Sequence, residues 1–255
     1  MMEEHWKKPL LKKIAEYIFE TEAALSRKWA SASHKRLMKA QWSLKPSPEF
    51  MDHHVDLYYQ WGEYKVPFWL ERGIFGCLCL KGGDVLELSS GDGFNTKYFY
   101  SSKSRKVVAC DFDPAAIKLS KKKNSAENIE YILSDIRYEM PEGKFDNIIW
   151  DASIEHFTEE EISKIIVDIK SRLAVNGIVS GYTMVESDDG IFANDQHEYE
   201  FKDKNDLKRF WEPHFKNVKV FETIYNHETK GRHNLYFWAS DGILPFSEEW
   251  AHSVG

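Results

Sequence analysis

The 255-residue chain is poor in cysteine, with only Cys77, Cys79 and Cys110. An odd number at Cys-x-Cys spacing fits neither a disulfide framework nor a zinc knuckle. They are read as reduced, mostly buried thiols. No apolar run approaches the ~18 residues needed to cross a bilayer. The opening stretch MMEEHWKKPLLKK is charged and leads into no apolar signal core. Both absences predict a cytoplasmic protein that does not engage a membrane. Positive charge is also short: 34 Lys+Arg stand against 41 Asp+Glu, a formal net charge of −7. Phosphate contacts need clustered basic side chains, so nucleic acid is disfavoured as a partner. What remains is ordinary for a globular chain, with 42% hydrophobic and 29% charged residues, which excludes collagen-like, low-complexity and wholly disordered classes. The length suits one or two domains.

Residues 10–38 predict a helix, because Leu10, Leu11, Ile14, Ile18, Leu25 and Trp29 recur at helical spacings. The run Lys45-Pro46-Ser47-Pro48 stops it. An aromatic-rich stretch over 50–72 reads as one or two short helices broken near Gly62 and Pro67, forming a cap or a lid. From Gly82 strands and helices alternate. Strands are expected over 84–88, 106–110, 129–133, 145–150 and 178–184, with helices from Thr96, from Pro114 and from the N-cap Thr158. A helix over 203–211 and two antiparallel strands, 218–224 and 234–239, close the chain. Such alternation implies a doubly wound α/β fold with a mostly parallel sheet covered on both faces. The expected division is a helical extension and cap over 1–80, a ligand-binding domain over 81–242 and a tail over 243–255.

Ligands of such sheets bind at the carboxyl ends of the strands. The first such place is Glu87-Leu88-Ser89-Ser90-Gly91-Asp92-Gly93-Phe94-Asn95-Thr96. Gly91 and Gly93 permit a sharp turn and close approach of a ligand to the backbone. The third glycine of the dinucleotide fingerprint is missing. Asp111 ends the second strand, where a carboxylate can accept from both hydroxyls of a ribose. Phe112 beside it can pack on an adenine face. Asp113 precedes Pro114 and reads as a helix cap. Asp135 follows the third strand and can accept from an exocyclic amine, while the Ile136 amide donates to a ring nitrogen. Glu87 and Asp92 are acidic and no phosphate-loop lysine is present, so a pyrophosphate is poorly served. An adenosine bearing a sulfonium and an α-amino group is well served.

In order and spacing, DVLELSSGDGFNT, VVACDFDPAAI, ILSDIR, FDNIIWDASIEHF and GIVSGYTMVE resemble the successive motifs of class I S-adenosylmethionine-dependent methyltransferases. The resemblance spans about residues 82–239. It implies a seven-stranded Rossmann-like sheet with one antiparallel strand and S-adenosylmethionine as cofactor. It also implies that Glu87, Gly91 and Gly93 shape the methionine-tail site, with Ser89 and Asp92 in the same loop. Asp111 would hold the ribose, Asp135 and Ile136 the adenine, and Asp151 would lie near the amino group. Ser89-Ser90 departs from the Gly-Cys or Gly-Ser pair of many members. Trp61 and Tyr64 would close over the cofactor, as cap residues do in some members.

Methyl transfer from a sulfonium is an in-line displacement, and a base is needed only if the acceptor loses a proton as it attacks. His156, after the fourth strand, and His197, in the polar loop 186–201 with Glu198 and Tyr199, are the candidate bases. His233 and Arg232 at the start of the last strand carry less weight, and His53-His54 reads as cap packing. Asp151-Ala152-Ser153-Ile154 lacks the Pro-Pro motif of amino-methylating DNA enzymes, and no cysteine lies there for C5 methylation of pyrimidines. Asp151 alone is insufficient for a catechol-type metal site, and no metal is expected. A small-molecule acceptor remains, a sugar or other metabolite, methylated at oxygen or nitrogen. The competing readings are a protein acceptor, a non-catalytic cofactor-binding protein of the same fold, and an NAD(P)-binding oxidoreductase.

Overall fold

The computed structural model describes residues 9–44, 57, 62, 65, 68–187, 190, 192–225 and 232–246. Trp61, Tyr64, the pair His53-His54 and the end of the tail lie outside them. Helix α1 (Pro9–Trp42) is followed by α2 (Phe68–Gly76), β1 (Asp84–Leu88), a π-helical turn (Thr96–Tyr100) running into a 3-10 turn (Ser101–Lys103), and β2 (Lys106–Asp111). Then come α3 (Pro114–Lys123), β3 (Ile129–Leu133), β4 (Phe145–Asp151), a 3-10 turn (Ile154–His156), α4 (Glu159–Arg172) and β5 (Leu173–Met184). The chain continues through α5 (Lys204–Trp211), β6 (Asn217–Tyr225) and β7 (Arg232–Ser240). Among the described residues no helix is long and apolar enough to cross a membrane.

The strands form one seven-stranded sheet in the order β3-β2-β1-β4-β5-β7-β6. Strands β1 to β5 pair in parallel, while β7 runs antiparallel to both β5 and β6. The chain winds outward from β1 through β2 to β3, then returns to β4 on the other side of β1. The order therefore reverses between β1 and β4, the switch point at which sheets of this kind hold ligands in a crevice between the departing loops.

The parallel strands read as continuous apolar runs because both their faces are covered. Leu86, Ile148, Ile149 and Trp150 are fully buried. On one face α4 contributes Ile162, Ile165, Ile166 and Ile169, all fully buried at spacings that put them on a single stripe. Its start is fixed as expected: Thr158 Oγ1 accepts from the Glu161 amide, and the Glu161 carboxylate accepts from the Thr158 amide. On the other face Phe75 of α2 meets Phe221 and Tyr236 edge-on. Helix α2 also packs closely on the helical segment after β1. A Cβ on Gly73 would fall 2.4 Å from the Phe99 ring, and one on Gly76 2.6 Å from Tyr100.

Strand β5 begins at Leu173 rather than 178, because Leu173 already pairs with Phe145 and the Asn176-Gly177 turn is absorbed as a register shift. Asn176 takes the left-handed φ of +59° that this requires. Helix α1 forms, but Leu11, Ile14, Ile18, Leu25 and Trp29 are exposed on it. Beyond β7 the chain stays packed on the sheet as far as it is described: Leu244 is buried, and Phe246 sits edge-on to Trp238 at 4.9 Å. The three cysteines are free thiols. Burial pushes Cys77 up to about 11 and Cys79 up to about 12, so neither is a thiolate near neutral pH.

Candidate active site

The loop after β1 is built by its own backbone. Ser89, Gly91 and Gly93 all have positive φ, at +55°, +55° and +74°. Only Ser89 bears a Cβ there, a conformation costing ~1 kcal/mol or more. Gly93 needs its glycine for a reason other than ligand approach. A Cβ there would stand 2.3 Å from the Tyr131 hydroxyl, so the residue is reserved for packing against β3. Asp92 is turned inward, with Oδ1 accepting from the Phe94 amide at 3.1 Å and its carbonyl accepting from Asn124 Nδ2 at 2.6 Å. It fixes the start of the following helix rather than facing outward.

Asp111 is buried at the end of β2. One carboxylate oxygen accepts from the Gly91 amide at 2.8 Å and the other from the Asp113 amide at 2.9 Å. The acid thus welds the first loop to the second. Asp113 caps α3, accepting from the Ala115 amide at 2.7 Å. Phe112 is exposed, with the Arg137 guanidinium 6.0 Å from its ring centre. Asp135 is held by Arg137 through its amide at 3.0 Å and a forked guanidinium contact at 2.6–3.1 Å. These bonds, outweighing its partial burial, hold its carboxyl below the usual range. An adenine amine would have to share this carboxylate with Arg137. Ile136 is buried beside it.

Glu87 is buried near the end of β1 and accepts from the Thr96 hydroxyl at 2.5 Å. Desolvation dominates and pushes its carboxyl up to about 8, against the opposing pull of that bond. Across the crevice Asp151 is also buried, but paired. Arg72 of α2 reaches it with Nε at 2.9 Å and Nη2 at 2.6 Å. Burial works against the Arg72 charge, yet Asp151 outweighs it and the guanidinium stays firmly protonated. The same guanidinium lies 4.3 Å from the Trp69 ring and 5.0 Å from the Tyr182 ring. Asn95 Nδ2 approaches Asp151 at 3.4 Å. Beside them, Ser90 Oγ, Asn95 Oδ1 and Ser153 Oγ are buried without a hydrogen-bond partner among the described residues. Orphaned polar atoms on the loops after β1 and β4 are what a polar ligand in the crevice would satisfy.

Residues 85–177 match the family described as methyltransferase domain. Over that span the chain is similar to a methyltransferase domain. Solved structures agree on the fold. TehB from Haemophilus influenzae is 19% identical with a TM-score of 0.55, the alignment covering 72% of this chain and 66% of that one. The N-methyltransferase NodS from Bradyrhizobium japonicum WM9, in complex with S-adenosyl-L-homocysteine, is 14% identical with a TM-score of 0.56, covering 82% and 98%. A DhpI–SAH complex is 16% identical with a TM-score of 0.51, covering 75% and 90%. At these identities the likeness is one of fold. No curated protein sequence matches the chain.

The turn after β4 and the loop after β5 meet beside this region. His156 and His197 come together with ring centres 4.9 Å apart, edge to face. Buried Glu155, which the sequence reading passed over, joins them, held by the Thr183 hydroxyl at 3.0 Å. Tyr199 is structural: its hydroxyl donates to Asp206 at 2.9 Å and its ring packs on Phe201 and Phe210. Glu198 is exposed. His233 Nε2 pairs with Glu222 of β6 at 2.5 Å, outside this cluster. Sequence reasoning missed Arg72, Glu155 and Glu200. Of these, Glu155 had a visible signal, because it adjoins a candidate histidine in the turn after β4.

Proposed function

We propose that the chain transfers a methyl group from S-adenosylmethionine to an oxygen or nitrogen of a small, polar acceptor. The observation that carries this reading is Asp111, a buried acid at the end of β2 held by the Gly91 amide. A carboxylate accepts up to about four hydrogen bonds, so it can serve the loop and a ribose diol together. Phe112 and Ile136 would flank the adenine, with Asp135 near its edge. Ser90, Asn95 and Ser153 bring orphaned atoms to the methionine tail. Glu87, Gly91 and Asp151 would lie around that tail, and Tyr64 would cover it.

The groups facing an acceptor would be His156 and His197. The relatives crystallised with SAM or SAH support the choice of cofactor. The polar and enclosed character of the histidine cluster supports a small acceptor, since Glu155 and His197 are buried. The test is titration calorimetry with S-adenosylhomocysteine. Wild type should bind, and Asp111→Ala should weaken binding more than ~100-fold with the far-ultraviolet dichroism unchanged. Equal affinity in the two proteins would refute the ribose assignment. No heat in wild type would refute the function.

A further inference from the structure

We propose that Glu155, His156 and His197 form a binding site for one divalent transition-metal ion at the acceptor side of the crevice. One ligand atom from each of the three lies within 4.8 Å of the others. Bonds of ~2.0–2.2 Å to a common ion hold ligand atoms ~3–4 Å apart, so small side-chain adjustments close the triangle. Two imidazoles and one carboxylate suit a borderline ion such as zinc, cobalt(II) or nickel(II), rather than calcium or magnesium, which favour oxygen.

The hydrogen bonds behind the ligands fix the required tautomers. His156 Nδ1 lies 3.1 Å from the Gln196 carbonyl, which can only accept, so Nδ1 carries the proton. His197 Nδ1 donates to the Glu200 carboxylate. In each neutral ring the remaining nitrogen, Nε2, therefore presents a lone pair. A backbone carbonyl on one imidazole and a carboxylate on the other are the outer partners that orient metal-binding histidines. Thr183 orients Glu155 in the same way.

Charge supplies an independent reason. Glu155 and Glu200 are both buried, and among the described residues neither pairs with a lysine or an arginine. Glu200 Oε1 also accepts from the Ala193 amide at 2.6 Å, but Glu200 Oε2 is buried with no partner at all. A cation here would meet two buried carboxyl groups that have no lysine or arginine partner among the described residues. An ion on the far side of His197 completes a carboxylate–histidine–metal line.

The chemistry of such an ion deepens the methyl-transfer reading and rests on it. A hydroxyl of the acceptor bound to the ion loses its proton to solvent near neutral pH. The resulting oxygen forms the O–CH3 bond, the S–CH3 bond breaks, and its electron pair stays on sulfur to leave a neutral thioether. His156 and His197 then act as ligands, and the acceptor class is an alcohol or phenol.

The experiment uses the full chain stripped with a chelator. Cobalt(II) is added while the visible d–d absorption is followed, and zinc uptake is counted by mass spectrometry. The expected result is one equivalent per chain. His156→Ala, His197→Ala and Glu155→Gln should each weaken uptake more than ~10-fold, and Glu200→Gln ~10-fold through His197. His34→Ala, on α1, should bind as wild type does. If an alanine variant fails to fold by circular dichroism, Glu155→Gln, which preserves shape, decides. Absence of saturable uptake by wild type, or uptake unaltered in Glu155→Gln, overturns the site. S-adenosylhomocysteine calorimetry on the stripped protein separates the two proposals. Heat without metal uptake removes only the ion, and metal uptake without heat removes only the cofactor.

Discussion

The two sides of the crevice are built differently. On the β1–β2–β3 side most acids are served by groups two positions away, Asp92 by Phe94, Asp111 by Asp113 and Asp135 by Arg137, with the Gly91 amide reaching Asp111 across 20 positions. Backbone amides do much of the work, and most of these bonds close within one loop. On the β4–β5 side the contacts are long-range and charged. Arg72 meets Asp151 across 79 positions, and His156 meets the Gln196 carbonyl across 40. The first arrangement survives as a motif because local sequence specifies it. The second exists only once the whole sheet is assembled.

This contrast is open to direct attack, most severely at Arg72. Arg72→Ala leaves Asp151 buried without its cation and should destabilise the fold by ~3–5 kcal/mol, read as a lowered midpoint in denaturant titration. If the loss is under 1 kcal/mol, the β4 side does not depend on its distant partner. Adding Asp151→Asn to Arg72→Ala should recover part of the loss, because the uncompensated charge is gone.

An effect spread gradually over pH lies at Glu87, a strongly shifted acid on the local side. Its folded value of about 8 lies above the ordinary 4.5, so the folded protein holds a proton that the unfolded chain releases. Its contribution to stability is then greatest below about pH 4.5. It declines as pH rises to about 8, by at most ~1.4 kcal/mol per pH unit, and is flat beyond. Glu87→Gln should remove this decline from thermal or urea unfolding measured between pH 5 and pH 8. An unchanged slope would mean that Glu87 is ionised in the native state.

The smallest effect is expected at Ser89, with its φ of +55°. Ser89→Gly should relieve strain yet free the unfolded chain, for a net gain of ~0.5 kcal/mol or less. A large loss on chemical denaturation would show that the serine side chain, rather than the backbone, holds the turn.

The same division explains what could be read in advance. The parallel strands β1, β2, β4 and β5 were legible because burial on both faces writes them as apolar runs, whereas β3 at the sheet edge is only partly buried. Helix α4 was legible because Thr158 and Glu161 stand three apart before a stripe of isoleucines. The loop after β1 was visible from Gly91, but the demand on Gly93 was not, since it comes from Tyr131 on another strand. Arg72 was hidden in an aromatic stretch, with nothing nearby to pair it. Glu155 was passed over because sequence does not say which side chain of a short turn faces the crevice. His156 and His197 could each be named as candidates, but their meeting depends on how the loop after β5 folds back over the turn after β4.

Helix α2 carries a final consequence. Its adjacent residues Glu71 and Arg72 grip different parts of the sheet. Glu71 accepts from the hydroxyls of Thr223, Tyr225 and Tyr236, while Arg72 holds Asp151. The helix is a two-pronged plug whose sockets lie on four separate residues downstream. Exchanging the N-terminal segment for that of a relative, as in building a chimera with altered substrate choice, will succeed only if positions 151, 223, 225 and 236 travel with it.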